Sequence, residues 1–483
     1  MSVFTICVIV FYVVNVLMTI SVLFLERKET RVALPWIFAF FAIPVIPWLL
    51  YFMIGKGPRF NRRNWAKHKN ISDKNVRQQF DLGYLVHYKS TMDEVDQMIA
   101  LNENNGFPCT SFNDIEIFTD AKDMYERQLE DFKNAKHSIN VLYYLFKKDD
   151  AGKRFLNVMT EKAKEGVEVI LVFDDSANPH TTYRFLKKFI KAGGIVQPFF
   201  PSRFTLINHN FAYRNHRKIV VIDGKIGYVG GMNIGVDYLG QDKKIKPWRD
   251  THLRIVGEAV SMLQIRFFQD YCGAKLRGKV KRNFEDIFNN SDKYFPYPVK
   301  KNVLPIQIVS SGPDLNQGEI KQAYLKMVGI AKKSLYLQTP YFIPDRSFID
   351  ALIVSKKAGV DVKLMIPGVP DKKIVYHVTL SYLEDILKAG IEVYLYPGFI
   401  HAKMIVADDF ISTIGTANLD ERSFSLNFEV NAFMYDVDAG KKCSEIFKED
   451  MKKSRLLTYE EYMKRSLKDK LAENIFRLLS PLM

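Results

Sequence analysis

The sequence predicts an α/β fold in which one unit, a mixed sheet flanked by helices, is present twice and follows two transmembrane helices. Three observations predict this: two apolar N-terminal stretches, a set of landmarks that recurs in the second half, and a His-x-Lys motif that closes each copy. A chain of 483 residues is also too long for one ordinary core. The predicted divisions are 1–58 (two transmembrane helices and anchor), 59–108 (juxtamembrane linker region), 109–290 (first α/β domain) and 291–483 (second α/β domain with a C-terminal helical tail).

The N-terminal region contains two stretches that are almost wholly apolar, 3–25 and 32–54. Each is about long enough to cross a ~30 Å hydrocarbon core as a helix. The chain lacks the basic start of a cleaved signal peptide. Prolines at 35, 44 and 47 make a buried core helix the alternative for the second stretch, although membrane spans tolerate proline better. Six basic residues at 56–69, against three at 26–31, predict that the main domain is cytoplasmic.

The composition narrows the class of protein and of partner. Hydrophobic residues make up 47% of the chain, which excludes a disordered or fibrous protein. The net charge of +15 favours a polyanion, which could be nucleic acid, an anionic membrane or a phosphate-bearing substrate. The four cysteines lie far apart without a CxxC pair, so we expect reduced, structural thiols and no metal site among them.

Three landmarks occur in both halves in the same order. Ala-Lys-His-Ser-Ile at 135–139 and Ala-Lys-Lys-Ser-Leu at 331–335 each lead into an apolar run. A glycine placed as a helix C-cap before a strand follows at Gly166 and Gly359, and again in the Lys-Ala-Gly triplets that end at 193 and 390. The repeat indicates a duplicated α/β unit with a mixed or mainly parallel sheet. We expect the active site where the halves meet.

Each copy closes with the same motif, His-Arg-Lys at 216–218 with Asp at 223, and His-Ala-Lys at 401–403 with Asp at 408. Residues two apart in a strand face the same side, so each histidine lies beside a lysine, a nucleophile beside a cation. One copy alone would fit a buried core histidine equally well. Two copies at the end of a duplicated unit favour a functional site.

This HxKxxxxD pattern resembles the HKD signature of the phospholipase D superfamily. The apolar N-terminal stretches, Trp-Arg-Asp-Thr-His at 248–252, Asn-Leu-Asp-Glu-Arg-Ser at 418–423 and the apolar end at 476–483 resemble the bacterial cardiolipin synthases, so the resemblance covers nearly the whole chain. It implies two phospholipase D-like domains and a multi-pass protein of the bacterial plasma membrane. The implied reaction transfers a phosphatidyl group between two phosphatidylglycerol molecules through a phosphatidyl-histidine intermediate and releases glycerol.

The resemblance also implies the partners. These are phosphatidylglycerol and anionic membrane lipid, with no nucleic acid, cofactor or metal ion expected. The sequence leaves the oligomeric state open. A phospholipase D-type hydrolase, a nuclease of the same superfamily and a non-catalytic lipid-binding scaffold remain alternatives.

The predicted catalytic set consists of the six motif residues, in which the aspartates have a supporting, structural role because their odd spacing places them off the histidine face. The set is His216, Lys218, Asp223, His401, Lys403 and Asp408. By family analogy the first histidine is the nucleophile and the second the general acid and then base, although the symmetry of the sequence permits the reverse.

Further residues flank the motifs. Asn233 and Asn418 follow small residues at equal distances from the two motifs and are predicted to donate to phosphate oxygens. Asp250 and Glu429, each a few tens of residues beyond its histidine, match family positions that hydrogen-bond the ring. Three arginines could bind a second phosphate or form rim salt bridges: Arg214, Arg249 and Arg422.

Overall fold

The computed structural model describes residues 2–25, 30–43, 45–51, 93–199, 213–241, 245–274, 287, 291–298, 302–315, 318–477 and 480. The basic residues at 56–69, on which the predicted orientation rests, lie outside the described residues. So does most of the predicted 59–108 linker.

The strands within these ranges are β1 (Cys109–Phe118), β2 (Ser138–Tyr143), β3 (Glu168–Asp174), β4 (Ile195–Phe199), β5 (Ile219–Ile222), β6 (Ile226–Gly230), β7 (Trp248–Arg249), β8 (His252–Gly257), β9 (Val303–Ser311), β10 (Ser334–Gln338), β11 (Phe342–Ile343), β12 (Asp361–Pro367), β13 (Glu392–Tyr396), β14 (Phe399–Ile400), β15 (Met404–Ala407), β16 (Ile411–Gly415), β17 (Leu419–Asp420), β18 (Glu429–Tyr435) and β19 (Arg455–Leu457).

The α-helices within the same ranges are Val3–Ile20, Thr30–Ala42, Ile46–Leu50, Asp93–Asn104, Ala121–Asn134, Asp150–Lys164, Tyr183–Lys191, Ala259–Gly273, Ser291–Tyr294, Glu319–Ile330, Arg346–Lys357, Lys373–Ser381, Leu383–Lys388, Glu421–Ser425, Val437–Lys453, Tyr459–Met463 and Leu467–Arg477. A π-helical turn, Ser21–Leu25, extends the first of them.

One 15-stranded sheet runs through both halves. Its centre is the antiparallel pair β1–β9. Outward from β1 the order is β8, β6, β5, β2, β3, β4, and outward from β9 it is β18, β16, β15, β10, β12, β13, followed by β19. The outer triplets β2–β3–β4 and β10–β12–β13 are parallel and the remaining pairs are antiparallel. The predicted duplicated α/β unit with a mixed sheet is therefore confirmed.

The repeated glycines end helices as the sequence predicts. Gly166 and Gly359 follow the Asp150–Lys164 and Arg346–Lys357 helices with φ of +88° and +98°. This left-handed conformation suits glycine because it has no Cβ. Each glycine directs the chain into a buried strand, β3 or β12, at the same place in its half.

The two apolar N-terminal stretches fold differently. Val3–Phe24 is long and apolar enough to cross a membrane, with a mean hydropathy of 2.6, and is the one such helix in the described part of the chain. The second stretch forms two shorter helices, with Pro35 inside the first and Val45 at a φ of 66° between them. The first of these helices continues through Pro35, and the interruption between the two lies at Val45. Of the two stretches expected to span, only the first forms a helix of sufficient length and apolar composition.

The short helices fold back on the long one. The Trp48 indole donates to Asn15 Oδ1 at 2.7 Å, and Met18, Val22 and Phe40 pack in a separate small core. This hydrogen bond satisfies the side-chain oxygen of Asn15 in the middle of an otherwise apolar helix.

The Asp93–Asn104 helix lies within the predicted linker region but packs on the second half. Its Asn102 amide donates to Gln307 Oε1 at 3.0 Å and to Tyr435 at 3.2 Å. Ser291–Tyr294, which follows the predicted boundary at 290, packs on the first half through Tyr294 and Phe268. The domain limits themselves stay a prediction.

Candidate active site

The two motifs meet at the seam between the halves, and each histidine is held by the backbone of the other half. His216 precedes β5, and its N–H donates to the Phe428 carbonyl at 3.0 Å. His401 follows β14, and its N–H donates to the Arg249 carbonyl at 2.6 Å. The parallel pair β7–β14 ties the halves together beside His401. The seam therefore builds one site from both copies.

Each imidazole is hydrogen-bonded to a carboxylate of the opposite half. His216 Nδ1 lies 3.1 and 3.0 Å from Glu429 Oε1 and Oε2, and His401 Nδ1 lies 2.6 Å from Asp250 Oδ2. The structure thus brings both predicted carboxylates to the histidines, but it exchanges the pairing that sequence proximity suggested. Because Nδ1 is engaged in each ring, Nε2 is the nitrogen left for chemistry.

The two carboxylates differ in the number of hydrogen bonds that they accept from the protein. Glu429 accepts hydrogen bonds from Thr416 Oγ1 at 2.5 Å, Ser423 Oγ at 2.9 Å and Asn427 Nδ2 at 3.3 Å. Burial opposes its ionisation, but nearby His216 and Lys218 and the hydrogen bonds outweigh it and lower the pKa of Glu429. It is therefore held as a carboxylate.

Asp250 has fewer donors. Its side chain accepts from the Thr251 N–H at 2.7 Å as well as facing His401. Burial raises the pKa of Asp250 to about 6, even though Lys403 acts in the opposite direction. Gly231 is required here because a Cβ at that position would lie 2.0 Å from Asp250 Oδ1.

Burial disfavours the protonated form of both histidines. Burial lowers the pKa of His216 to about 4 and lowers that of His401 well below its usual value. A neutral ring is what a nucleophile requires. The ring that acts as an acid must acquire a proton when an anionic phosphate enters beside it.

The lysines of both motifs lie buried beside their histidines. Lys218 Nζ donates to the His216 carbonyl at 2.7 Å, and Lys403 Nζ donates to the His401 carbonyl. Lys218 also lies over the Tyr144 ring, 5.4 Å from its centroid. Burial lowers the pKa of both lysines, that of Lys403 to about 8. Two cations in a site of low water content favour an anionic ligand such as a phosphodiester.

The motif aspartates do not reach the histidines. Asp223 and Asp408 lie in turns after β5 and β15, with φ of 52° and 56°. Asp223 accepts three backbone N–H bonds of 2.7 to 2.8 Å from 136–138, and Asp408 accepts three of the same lengths from 332–334. Neither aspartate lies among the groups that contact the histidines. They fix the start of β2 and β10, as their odd spacing suggested.

The two asparagines are engaged within the protein. Asn233 Nδ2 donates to the Tyr238 hydroxyl, and its Oδ1 accepts from the Leu145 N–H at 3.0 Å. Asn418 Nδ2 donates to Asp420 Oδ2 at 2.9 Å. Each amide nitrogen has a second hydrogen. Their contact with phosphate stays a prediction.

The family profile described as "Cardiolipin synthase, PLD-like domain" matches residues 129–244 and 324–451, the segments that carry the two motifs. The chain belongs to the cardiolipin synthase family of the phospholipase D superfamily. Curated relatives agree along the full length: "Major cardiolipin synthase ClsA" of Bacillus subtilis is 42% identical over 100% of both chains. "Cardiolipin synthase 1" of Staphylococcus epidermidis is 41% identical over 100% of this chain and 99% of its own.

A solved structure supports the fold of this cardiolipin synthase family member. The crystal structure of phosphatidylserine synthase from Haemophilus influenzae superposes with a TM-score of 0.62, covering 80% of this chain and 100% of that chain. At 18% sequence identity this likeness shows the fold alone.

Arg217, in the middle of the first motif, is a residue that the sequence analysis missed. Its fully buried guanidinium forms an ion pair with Asp270 at 2.6 Å and donates to the carbonyls of Glu429 at 3.0 Å and Ser311 at 2.9 Å. It therefore links the first motif to the second half and to the strand that carries Glu429. The signal was the contrast with Ala402 at the same place in the second motif.

Aromatic side chains around His401 were also missed. The rings of Trp248, Tyr238 and Phe399 have centroids 5.6, 5.8 and 5.9 Å from that of His401. His216 has Tyr144 at 4.9 Å. Their scattered sequence positions gave no signal that they would converge on the histidines.

The predicted arginines have different surroundings. Arg249 is buried and forms an ion pair with Asp450 at 2.8 Å, so it is a structural link rather than a phosphate ligand. Burial and then the nearby charge of Arg214 lower the pKa of Arg422, which places these two cations close together. Among the described residues, no cluster of three or more His, Cys, Asp or Glu side chains is arranged to hold a metal ion.

Proposed function

We propose that the protein is a phosphatidyltransferase that makes cardiolipin and glycerol from two molecules of phosphatidylglycerol. The single observation that carries this proposal is the pair of histidines at one seam, each held at Nδ1 by a carboxylate of the opposite half and each accompanied by a buried lysine. The names of the full-length relatives support the substrate class.

In the first half-reaction, His216 Nε2 attacks the phosphorus of one phosphatidylglycerol. A nitrogen–phosphorus bond forms, and the bond from phosphorus to the glycerol oxygen breaks. Glu429 accepts the Nδ1 hydrogen bond and stabilises the positive charge that develops on the ring. His401, protonated once the phosphate anion lies beside it, gives its proton to the leaving glycerol.

In the second half-reaction, the now neutral His401 takes the proton from the terminal glycerol hydroxyl of a second phosphatidylglycerol. The oxygen of that hydroxyl attacks phosphorus, and the bond to His216 breaks. The exchange replaces one phosphodiester by another, so it draws on no nucleotide. The three rings around His401 limit the access of water to the covalent intermediate.

Lys218 and Lys403 stabilise the non-bridging oxygens of the phosphorane, and the second amide hydrogens of Asn233 and Asn418 add to this. The lysines lie close enough to the histidines to donate to their carbonyls, which supports this role. The proposal also includes a bacterial cell-membrane location, with more than one membrane pass and a cytoplasmic catalytic region. The Val3–Phe24 helix supports membrane association.

The test uses purified full-length protein in liposomes with phosphatidylglycerol as the only lipid and EDTA present. We expect cardiolipin and glycerol in equal amounts, lost in His216→Ala and in His401→Ala and retained in His180→Ala, a change at an exposed histidine outside the motifs. Phosphatidic acid as the main product would instead identify a hydrolase. No turnover by the wild type would overturn the proposed substrate.

A further inference from the structure

A basic groove lies on the first half, between the Asp150–Lys164 and Tyr183–Lys191 helices, with a cavity of about 850 Å³. We define this basic groove by the cationic residues that line it: Lys148, Lys153, Lys164, Arg184, Lys188 and Lys191. Leu156 and Phe185 are apolar residues of its wall. A cavity of this size is within the range of sites that bind small molecules or headgroups.

The charge of the basic groove is poorly compensated. Lys153 pairs with Asp150 at 2.9 Å and Lys164 with Glu161 at 2.8 Å. Within the described ranges, the remaining four cations of the groove form no ion pair. Such a concentration of one sign in a concave surface attracts anions.

The equivalent surface of the second half has more of its charge compensated. Arg346 pairs with Asp350 at 2.8 Å and with Asp385 at 2.7 Å, and Lys388 pairs with Glu384 at 2.6 Å. Counted back from the glycines at 193 and 390, Lys188 corresponds to Asp385 and Arg184 to Ser381. The duplicated scaffold therefore does not require a basic surface here. The larger excess of uncompensated charge belongs to the first half.

The basic groove begins at the edge of the sheet that carries the active site. β2 and β3 are parallel, and each is followed by one of the two helices, so both helices begin at the edge where these strands end. Tyr144, the residue after β2, packs against His216 with centroids 4.9 Å apart. The 15-residue helix is roughly 22 Å long, so the groove extends from the active-site edge across one face of the first half.

We infer that the basic groove docks the first half on the anionic headgroups of the bilayer and holds the active-site edge against the lipid surface. The inference rests on the proposed function, which places the substrate phosphatidylglycerol in that surface. An apolar span-length helix in the same chain and four uncompensated cations make an anionic bilayer the matching occupant. Each basic residue near such a surface adds to binding and is screened by salt.

A fluorescence measurement tests docking without turnover. The full-length protein, with exposed Cys7 changed to serine, receives one labelled cysteine at Asn157 in the groove or at exposed Val354 on the corresponding helix of the second half. In vesicles with headgroup-attached quenchers, we expect anionic lipid to increase quenching at 157 over that in neutral vesicles, and salt to reverse it. Position 354 should respond little. Equal responses at both positions, or none at 157, would overturn the inference.

A second test removes positive charge from the basic groove. Arg184→Gln with Lys188→Gln and Lys191→Gln should weaken the docking equilibrium by about two orders of magnitude, given the usual contribution of each basic residue at an anionic surface. The control removes the same charge from the second half through Lys356→Gln, Lys357→Gln and Lys388→Gln and should leave the quenching unchanged. An equal loss of quenching in the control would show that only the net charge of the protein matters. It would reject docking through the basic groove.

The two proposals fail in different ways. Quenching at 157 without cardiolipin synthesis would leave docking intact and reject the proposed reaction. In the opposite case, cardiolipin synthesis would respond to anionic lipid equally in the wild type and the groove variant, and position 157 would show no quenching. This result would leave the proposed reaction intact and reject docking through the basic groove.

Discussion

His216 and His401 occupy the same position in the two copies of the motif, but their surroundings differ. Glu429, which holds His216, accepts from three neighbouring side chains besides the ring. Asp250, which holds His401, has one backbone donor and a pKa raised by burial to about 6. Among the described residues, three aromatic rings surround His401, whereas one ring, Tyr144, packs against His216.

Two-step transfer needs this asymmetry. One histidine must attack while neutral and the other must carry a proton at the same pH, and identical environments would give both rings the same proton affinity. Residues outside the motifs separate the two environments. The duplication supplies the pair of histidines, and later divergence of the surroundings distinguishes them.

The largest expected effect comes from the histidines themselves. His216→Ala and His401→Ala should each lower kcat by about 10⁴-fold or more, since residues that act as a unit fail together. They should differ in the intermediate: His401→Ala quenched in denaturant at neutral pH, which spares the acid-labile nitrogen–phosphorus bond, should carry phosphatidyl on His216, detected by mass spectrometry of the peptide, whereas His216→Ala should carry none. An adduct on His401 instead would reverse the assignment of nucleophile and acid.

Arg217 and Ala402 occupy the same place in the two motifs, but their substitutions should differ in their effect on the stability of the protein. Arg217→Met removes one of the two 2.6 Å ion pairs of Asp270, which keeps Arg266, and removes the bonds to the Glu429 and Ser311 carbonyls. Each buried carbonyl that loses its donor typically costs about 1–3 kcal/mol, so we expect a clear fall in the apparent unfolding temperature in detergent. Ala402→Ser, at the equivalent place, should shift that temperature far less. Similar shifts in both variants would show that Arg217 does not couple the halves.

Replacing each carboxylate tests its positioning role. Glu429→Gln and Asp250→Asn should lower kcat/KM by about 10- to 100-fold, the usual range for groups that orient a functional histidine. Glu429→Gln should be the more severe, because its new NH₂ group would face the donors Ser423 and Asn427. Circular dichroism and unfolding temperature separate this effect from misfolding. Equal losses would remove the distinction between the two carboxylates.

A plot of kcat/KM against pH should fall on the acid side and on the basic side. Asp250 becomes protonated as pH falls through about 6 and then no longer supports a charged His401, while Lys403 loses its charge as pH rises through about 8. The kcat/KM should therefore fall on both sides, by about tenfold per unit at each limb. Asp250→Asn should remove the acid limb, and Lys403→Arg should move the basic limb upward because guanidinium keeps its proton. Unchanged limbs in these variants would assign them to other groups.

Much of the fold could be predicted because its signals are local. The glycines at 166 and 359 fix helix ends through a conformation that other residues rarely adopt. The apolar runs before them identify buried strands, and their repetition identifies two similar units. The second N-terminal stretch was the exception, because hydropathy measures composition while the break at Val45 divides the stretch into two short helices.

The site was predicted as a list of residues but not as a set of pairs. Asp250 was associated with His216 because both lie in the same half, yet the seam brings it 2.6 Å from His401. Spacing along the chain does not encode which strands meet across a seam. For the same reason neither Arg217 nor the rings around His401 gave a signal of their long-range contacts.

The crossed hydrogen bonds have a consequence for the origin of this chain. In a half-length ancestor with a single motif, the histidine and the carboxylate of one molecule would be on opposite sides of the seam and would not reach each other. Such an ancestor would have to work as a homodimer, with each subunit supplying the carboxylate for the other's imidazole. Fusion of the two genes then made the subunits covalently inseparable, and only after that could their two half-sites diverge independently.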